Sequence, residues 1–325
     1  MAKAGMIVGT QELIQGIFKK QVRLESVGHE ALGRNGVYYV VEYDLFLKLY
    51  GEAIRWGREV ASLRYLQGKK DLGVPEMLDY GIFAKQTYWL LTRKRNGFNL
   101  ADLMDKLGTE QRLELYREIG NLQARFHQEG RVDFFGDWDV NGEILAPKES
   151  YFAFAKDKND TQAKRIIAKG YPDTNLFKLA AEKLILFEHT IKDCNRFSLC
   201  HNDFNGRNLL VENINAKWRI TGIIDFERCY PSDPESDMAP IFLEIYGQQA
   251  MDSFLSGYAE IDSLSNVFHE KTVYYLTAFC LEVCSWSYQV APEYYHKSKK
   301  MLKYLVDSRW FPHSQRNNES GDGYE

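Results

Sequence analysis

The sequence has no long apolar run, no paired-cysteine pattern and no excess of positive charge, and each absence removes a class of protein. No apolar stretch approaches the roughly 20 residues that a helix needs to cross a bilayer, and residues 1–6 carry no charged-then-apolar leader pattern. The five cysteines (Cys194, Cys200, Cys229, Cys280, Cys284) are odd in number and include no CxxC pair. This argues against a disulfide framework and for free thiols in a reducing compartment. Cys280 and Cys284 have helical spacing, but no histidine pair accompanies them, so a metal site is not expected there. A formal net charge of −4 gives no general footing for phosphate neutralisation. The expectation is a cytoplasmic protein without nucleic-acid or membrane partners.

What is present is ordinary globular material: 325 residues, 45% hydrophobic and 26% charged, enough for one large domain or two lobes. Residues 37–41 and 45–50 are β-branched or aromatic runs joined by Glu42-Tyr43-Asp44, which reads as a hairpin turn. Ile54, Val60, Leu63 and Leu66 follow helical spacing, and strands are expected at 79–83 and 87–92. Beyond Asn96-Gly97 the character becomes helical, with helices expected over 100–107, 109–128 (Thr109 as N-cap) and 175–194, and across most of 239–305. Two short strands, 208–212 and 218–225, flank the turn-rich segment 213–217. The expected organisation is a strand-rich lobe over 1–95, a hinge near 92–97, a helical lobe over 96–313 and a loose tail over 314–325.

The chemistry concentrates in His201-Asn202-Asp203-Phe204-Asn205-Gly206-Arg207-Asn208 and in Asp225-Phe226-Glu227. Asp203 stands two residues after His201 and five before Asn208, the spacing of the kinase catalytic loop H-R-D-x-x-x-x-N. A carboxylate at that place accepts a hydroxyl proton and aims the oxygen at phosphorus. Asn208 offers magnesium a neutral oxygen, and Asp225, at the exit of an apolar strand, offers a charged one. Taken singly, these residues read equally well as turn formers and a strand terminator. Their order, and the short hairpin between them, favours chemistry.

Lys48 supplies the cation that phosphoryl transfer requires. On an alternating strand it shares a face with Phe46 and Tyr50, opposite Leu45, Leu47 and Leu49. A lysine there needs a counter-charge, since stranding one partner of a buried pair costs about 3–5 kcal/mol. Glu59, on the following helix, is the natural partner. Upstream, residues 28–36 include Gly33, Asn35 and Gly36. The glycines permit backbone amides to approach phosphates, but the segment matches neither glycine-rich phosphate motif, and an ordinary loop fits it equally. His127 reads as a satisfied core histidine, His201 as a brace for the loop, and Arg93-Lys94-Arg95 as a solvated basic run.

Together these residues resemble the aminoglycoside phosphotransferase and choline kinase superfamily. The resemblance runs from about Gly28 to Asp237 through Asn35-Gly36-Val37-Tyr38, Leu47-Lys48, Arg58-Glu59, Val74-Pro75, Leu90-Leu91, Gly97, His127 and the two motifs above. It implies an α+β, bilobal, protein-kinase-like fold with an antiparallel-sheet N-lobe and a mostly helical C-lobe, holding nucleotide in the cleft between them. It implies Asp203 as the catalytic aspartate, Asn208 and Asp225 as magnesium ligands and a Lys48–Glu59 pair. Gly33 and Asn35 would lie on the phosphates, with backbone groups around Arg93 and Arg95 on the purine. The co-substrate is usually ATP and sometimes GTP. Asn202 replaces the glycine usual after the histidine. Glu227 replaces the glycine of D-F-G, and Pro231 to Asp237 resembles the short family segment, which disfavours a protein substrate.

The acceptor is less legible. Asp233, Glu235, Glu260, Glu270 and Glu282, with Trp286, Tyr288 and Tyr294-Tyr295, would suit a cationic hydroxyl compound by charge and cation–π contact. Core aromatics and solvated glutamates are the competing reading. The family makes an antibiotic such as an aminoglycoside the leading acceptor. A metabolic kinase for choline, a sugar or an amino alcohol is the alternative, and a non-catalytic nucleotide-binding module the second.

Overall fold

A computed structural model of the chain describes residues 12–27, 35–69, 72–83 and 87–307. Gly33 and the rest of segment 28–34, and the expected tail at 314–325, lie outside the described residues. The N-terminal part is a five-stranded antiparallel sheet of order β1-β2-β3-β5-β4. Its strands are β1 (Leu24–Ser26), β2 (Gly36–Val40), β3 (Leu45–Tyr50), β4 (Met77–Phe83) and β5 (Thr87–Arg93). Alternation on β3 works as the sequence implies. Leu45, Leu47 and Leu49 are buried with Leu13 and Ile14 of helix α1 (residues 12–18), and Lys48, opposite Val37 and Leu90, faces the other way. Helix α2 (Ala53–Leu66) lies on that other face, its Trp56 indole N–H donating to the Trp89 carbonyl at 3.0 Å. The link at 41–44 is a 3-10 turn ending on left-handed Asp44, φ 56°.

Residues 94–97 lead from β5 into the helical part. Strand β6 (Phe98–Asn99) is followed by α3 (Ala101–Met104), α4 (Thr109–Glu129), β7 (Arg131–Val132), α5 (Tyr151–Ala168) and α6 (Thr174–Phe187). Then come β8 (Phe197–Cys200), β9 (Leu209–Ile214), β10 (Lys217–Ile223) and β11 (Tyr230–Ser232), and finally α7 (Ala239–Ile245), α8 (Gln249–Ala259), α9 (Phe268–Val290) and α10 (Pro292–Asp307). Two small sheets, β10-β9-β6 and β11-β8-β7, hold the functional motifs against this bundle. The main apolar core runs without a break from α2 through α4, α5 and α6 to α9 and α10. Helices α4 and α8 cross at glycines: a β-carbon on Gly120 or Gly257 would run into the backbone carbonyl of Phe254 or Arg117. Among the described residues no helix is long and apolar enough to cross a membrane, and all five cysteines are free.

Local chemistry explains where elements depart from expectation. Gly108, not Thr109, caps α4; Thr109 is already helical, and the Gly108 N–H donates to Gln111 Oε1 at 3.4 Å. The helix expected to reach 194 stops at Phe187 and tightens into a 3-10 turn over Glu188–Ile191. There His189 and Thr190 take the carbonyls of Leu186 and Phe187 with their side chains, competing with helical hydrogen bonding. The hairpin of β9 and β10 is tighter than read, turning on Asn215 and Ala216 alone, both at positive φ. Helix α5 had a legible start in Ser150, whose Oγ accepts from Ala153 N at 3.1 Å.

Candidate active site

The Lys48 ammonium is the centre of a cluster built by β3, α2 and the exit of β10. Its Nζ lies 2.7 Å from Glu59 Oε2, 2.5 Å from Asp225 Oδ1 and 3.2 Å from Glu227 Oε2. Tyr50, two residues on and facing the same way, donates its hydroxyl to Glu59 Oε2 at 2.6 Å. Glu227 also binds Arg55 Nη1 at 2.5 Å and accepts from the Asn35 side-chain amide, so the start of β2 is tied to the same carboxylate. Burial opposes the charge on Lys48, but Asp225 and Glu59 outweigh it and hold its pKa well above the ordinary lysine range. For Asp225 burial is likewise overcome, here by Lys48, and its pKa falls. For Glu59 burial prevails and its pKa rises.

The loop from His201 to Asn208 is held from behind by Asp237. This fully buried carboxylate accepts the backbone N–H of His201 at 3.0 Å, the N–H of Asn202, and His127 Nε2 at 3.1 Å. His127 completes its pairing with the Tyr258 hydroxyl at 2.9 Å, the satisfied core histidine that was expected. His201 Nε2 donates to the Ile224 carbonyl at 3.0 Å, and Ile224 N to the Asn208 carbonyl at 2.9 Å. These two bonds fix the loop to the strand exit that carries Asp225. Asn202 (φ 58°) and Asp225 (φ 70°) both sit in the left-handed region, which Asn and Asp enter more readily than other residues with side chains. Asp203 accepts from Asn205 Nδ2 at 2.8 Å and Asn208 Nδ2 at 3.1 Å, with Arg207 at 3.8 Å. Burial pushes its pKa up, against the pull of Arg228 and Arg207.

The expected residues are thus not all gathered. Lys48, Glu59, Asp225 and Asn35 meet, and Asp203 and Asn208 stand together across the Ile224 link. Arg93 is exposed and paired with Glu76 at 2.6 Å, and Arg95 reaches the Thr221 carbonyl at 2.8 Å. The backbone amides of Arg93 and Lys94 already donate to the Glu76 and Asp44 carbonyls. Neither arginine's side chain joins the Lys48 cluster. The acidic set read as an acceptor grip is dispersed. Lys271 lies 2.7 Å from Asp233 and 3.1 Å from Glu235, while Glu260 pairs with Arg117 and Glu282 with Arg228. Tyr288 packs on Tyr171 and Tyr295 with ring centroids 4.2 and 4.9 Å away. Of the expected aromatics, Tyr294 approaches the 201–208 loop, under Arg207 at 4.8 Å.

Asp237, Tyr50, Arg55 and Arg228 had not been singled out. Asp237 lies in the segment already noticed, but its role depends on three donors from two other places in the chain, the 201–208 loop and α4. Beside Asn202 and Arg228 opens a cavity of about 380 Å³, floored by β11 and walled by α2, α5 and α9.

Solved structures define the class of this fold. A thermostable mutant of aminoglycoside phosphotransferase APH(4)-Ia, in a ternary complex with ADP and hygromycin B, matches with a TM-score of 0.66 at 17% identity, covering 91% of this chain and 97% of that one. The GDP complex of wild-type aminoglycoside 2'-phosphotransferase-IIIa gives 0.65 at 17% identity, over 92% and 98% of the two chains. The GDP and kanamycin complex of APH(2")-IIia gives 0.62 at 18%, over 90% and 97%. The fold is therefore bilobal and kinase-like, with an antiparallel sheet before a helical lobe, as the sequence implied. Comparison with curated protein sequences gave no match. The model of the phosphotransferase enzyme family matches residues 31–270, and the chain belongs to that family: it is a phosphotransferase.

Proposed function

We propose that the protein transfers the γ-phosphoryl group of a nucleoside triphosphate, with magnesium, to a hydroxyl of a small molecule. The observation that carries this reading is the meeting of Lys48, Glu59 and Asp225, tied through Ile224 to the loop bearing Asp203 and Asn208. In this reading Lys48, oriented by Glu59 and Tyr50, receives the nucleotide phosphates. Asp203 takes the proton of the acceptor hydroxyl, and its raised pKa suits a base. The acceptor oxygen bonds to the γ-phosphorus while the bridging bond to the β-phosphate breaks, and a nucleoside diphosphate leaves.

The donor set fits magnesium, a hard cation that prefers oxygen ligands. Asp225 offers a carboxylate, and Asn208 spends its amide N–H on Asp203, leaving its oxygen for a cation. The bound metal would neutralise charge on the phosphate oxygens. ADP, AMP-PNP and GDP complexes of the similar structures support a purine nucleotide, ATP or GTP. An intact Lys48, Asp203, Asn208 and Asp225 set counts against a non-catalytic binding module.

Two acceptor readings stand. The hygromycin B and kanamycin complexes of similar structures support an aminoglycoside, and with it a role in antibiotic resistance. The dispersal of the acidic residues, and the cations lining the cavity beside Asn202, favour a metabolic alcohol instead. A nucleotide-consumption screen with ATP and GTP, with and without magnesium, across antibiotics and metabolic alcohols tests both. Normal turnover by Asp203→Asn would sink the transfer reading.

A further inference from the structure

The cavity beside the catalytic loop carries an unusual charge for a site that would admit an aminoglycoside. Four cationic side chains line it (Arg55, Arg58, Lys158 and Arg228) against two carboxylates, Asp137 and Glu282. Both carboxylates are taken. Arg58 holds Asp137 through Nε at 2.7 Å and through Nη2, and Arg228 holds Glu282. Arg55 is paired with Glu227, outside the cavity lining. Lys158 differs from all of these. It is half-buried on α5, and its hydrogen bond, at 2.6 Å, goes to the neutral phenol of Tyr230. Among the described residues no carboxylate lies within ion-pairing distance of its ammonium. Lys158 and Arg58 also lie over the Tyr230 ring, 5.2 and 5.4 Å from its centroid. Glu282, held by Arg228, acts on this ammonium from beyond ion-pairing distance. An ammonium brought out of bulk water whose direct partner is a phenol can take an anion. Next to it on α5, the Gln162 side-chain oxygen is buried at the cavity wall with no hydrogen-bond partner, an acceptor suited to a ligand hydroxyl.

Resting on the phosphotransfer reading above, we infer that the acceptor is an anionic hydroxyl compound, a small polyol or sugar bearing a carboxylate or phosphate. Lys158 binds its anionic group, and its hydroxyl is presented past Arg228 to Asp203. The placement of Arg228 supports this path: its guanidinium lines the cavity and also acts electrostatically on Asp203. A polycationic acceptor would meet four cationic side chains against two carboxylates that are already paired.

The test uses the full-length protein loaded with magnesium and ADP for binding, by thermal shift, and with magnesium and ATP or GTP for turnover. The probes are hydroxylated compounds in matched forms: glucosamine, glucose, gluconate and glucose 6-phosphate, with equivalent triplets of three- to five-carbon alcohols, amines and acids, and kanamycin as the cationic extreme. Anionic members are expected to bind and to be phosphorylated with the highest kcat/KM. Lys158→Gln is expected to raise KM for them roughly ten- to hundredfold, the loss of one charge-assisted contact, while KM for neutral members moves little. Circular dichroism and nucleotide affinity check that this variant folds. A cationic or neutral member turned over best overturns the anionic acceptor and leaves phosphotransfer standing. Anion binding through Lys158 with no phosphorylation of any probe overturns the transfer reading and the acceptor role together. Failure of every anionic probe to bind, or binding indifferent to Lys158→Gln, overturns the inference outright.

Discussion

Two groups of aspartates, one in the cleft and one in the turn at 233–237, show how a carboxylate's surroundings decide its work. Asp237 is fully buried and accepts from two backbone amides and an imidazole. Asp233 accepts from Lys271 and Tyr275, each at 2.7 Å, and from the backbone of Glu235 at 3.0 Å. Asp203 has two asparagine amides and a side chain that is 24% exposed, and Asp225 is 36% exposed with Lys48 against one oxygen. Filled carboxylates hold backbone in place. Under-filled ones at the cleft retain acceptor capacity for a proton or a cation. The lesson is that acidity in a sequence window says little until its donors are counted.

The largest expected effect separates the two groups most directly. Asp203→Asn should lower kcat roughly 10²- to 10⁴-fold, with magnesium–nucleotide affinity nearly unchanged. Its stability should not fall. Because burial raises the folded pKa above the unfolded one, the contribution of Asp203 to stability is complete at low pH and lost as pH rises through the folded value. A neutral side chain at pH 7 therefore costs nothing on that account, and the urea midpoint should hold or rise. Asp237→Ala should behave oppositely. Stranding the donors of His201, Asn202 and His127 should cost about 3–5 kcal/mol in urea unfolding, with activity lost as well. A midpoint shift below about 1 kcal/mol would erase the distinction between the groups.

Glu282 offers a third kind of carboxylate. Burial would raise its pKa, but Arg228 and Lys158 overcome that and hold it at about 2. The folded pKa is depressed, so this stability is present above the ordinary glutamate range and lost as pH falls toward 2. It amounts to about 3 kcal/mol at most. The gap in unfolding free energy between wild type and Glu282→Gln should be widest near neutrality and close as pH falls from about 5 to about 2. A gap constant with pH would remove Glu282 from the comparison. The smallest effect is a packing control. Gly120→Ala should cost about 1–3 kcal/mol, because its methyl meets the Phe254 carbonyl. Turnover per folded molecule should be unchanged, which unfolding and activity measured on one preparation will check.

Much of the site was legible because its parts are local. The spacing of His201, Asp203 and Asn208 lies within one loop, and Asp225 follows one strand. The facing of Lys48 follows from alternation on β3, and Glu59 from the helix that comes next. What stayed hidden depends on distant partners: Asp237 meets His201 across 36 residues, and Arg228 meets Glu282 across 54. The strands β7, β8 and β11 are two to four residues long, too short for any period to show. The acidic and aromatic residues expected to grip a cation looked like one set in the chain, yet most are spent on separate lysines, arginines and rings.

The sequence by itself determined the reaction class and where the candidate residues stand along the chain, because spacing along a loop or strand survives any arrangement of the rest. Only the tertiary structure decided which carboxylates are filled, which lysine has a phenol as its direct partner and what charge lines the cavity beside Asn202. Those are sums over side chains from α2, α5, β11 and α9, and electrostatic sums depend on distances that chain order does not encode.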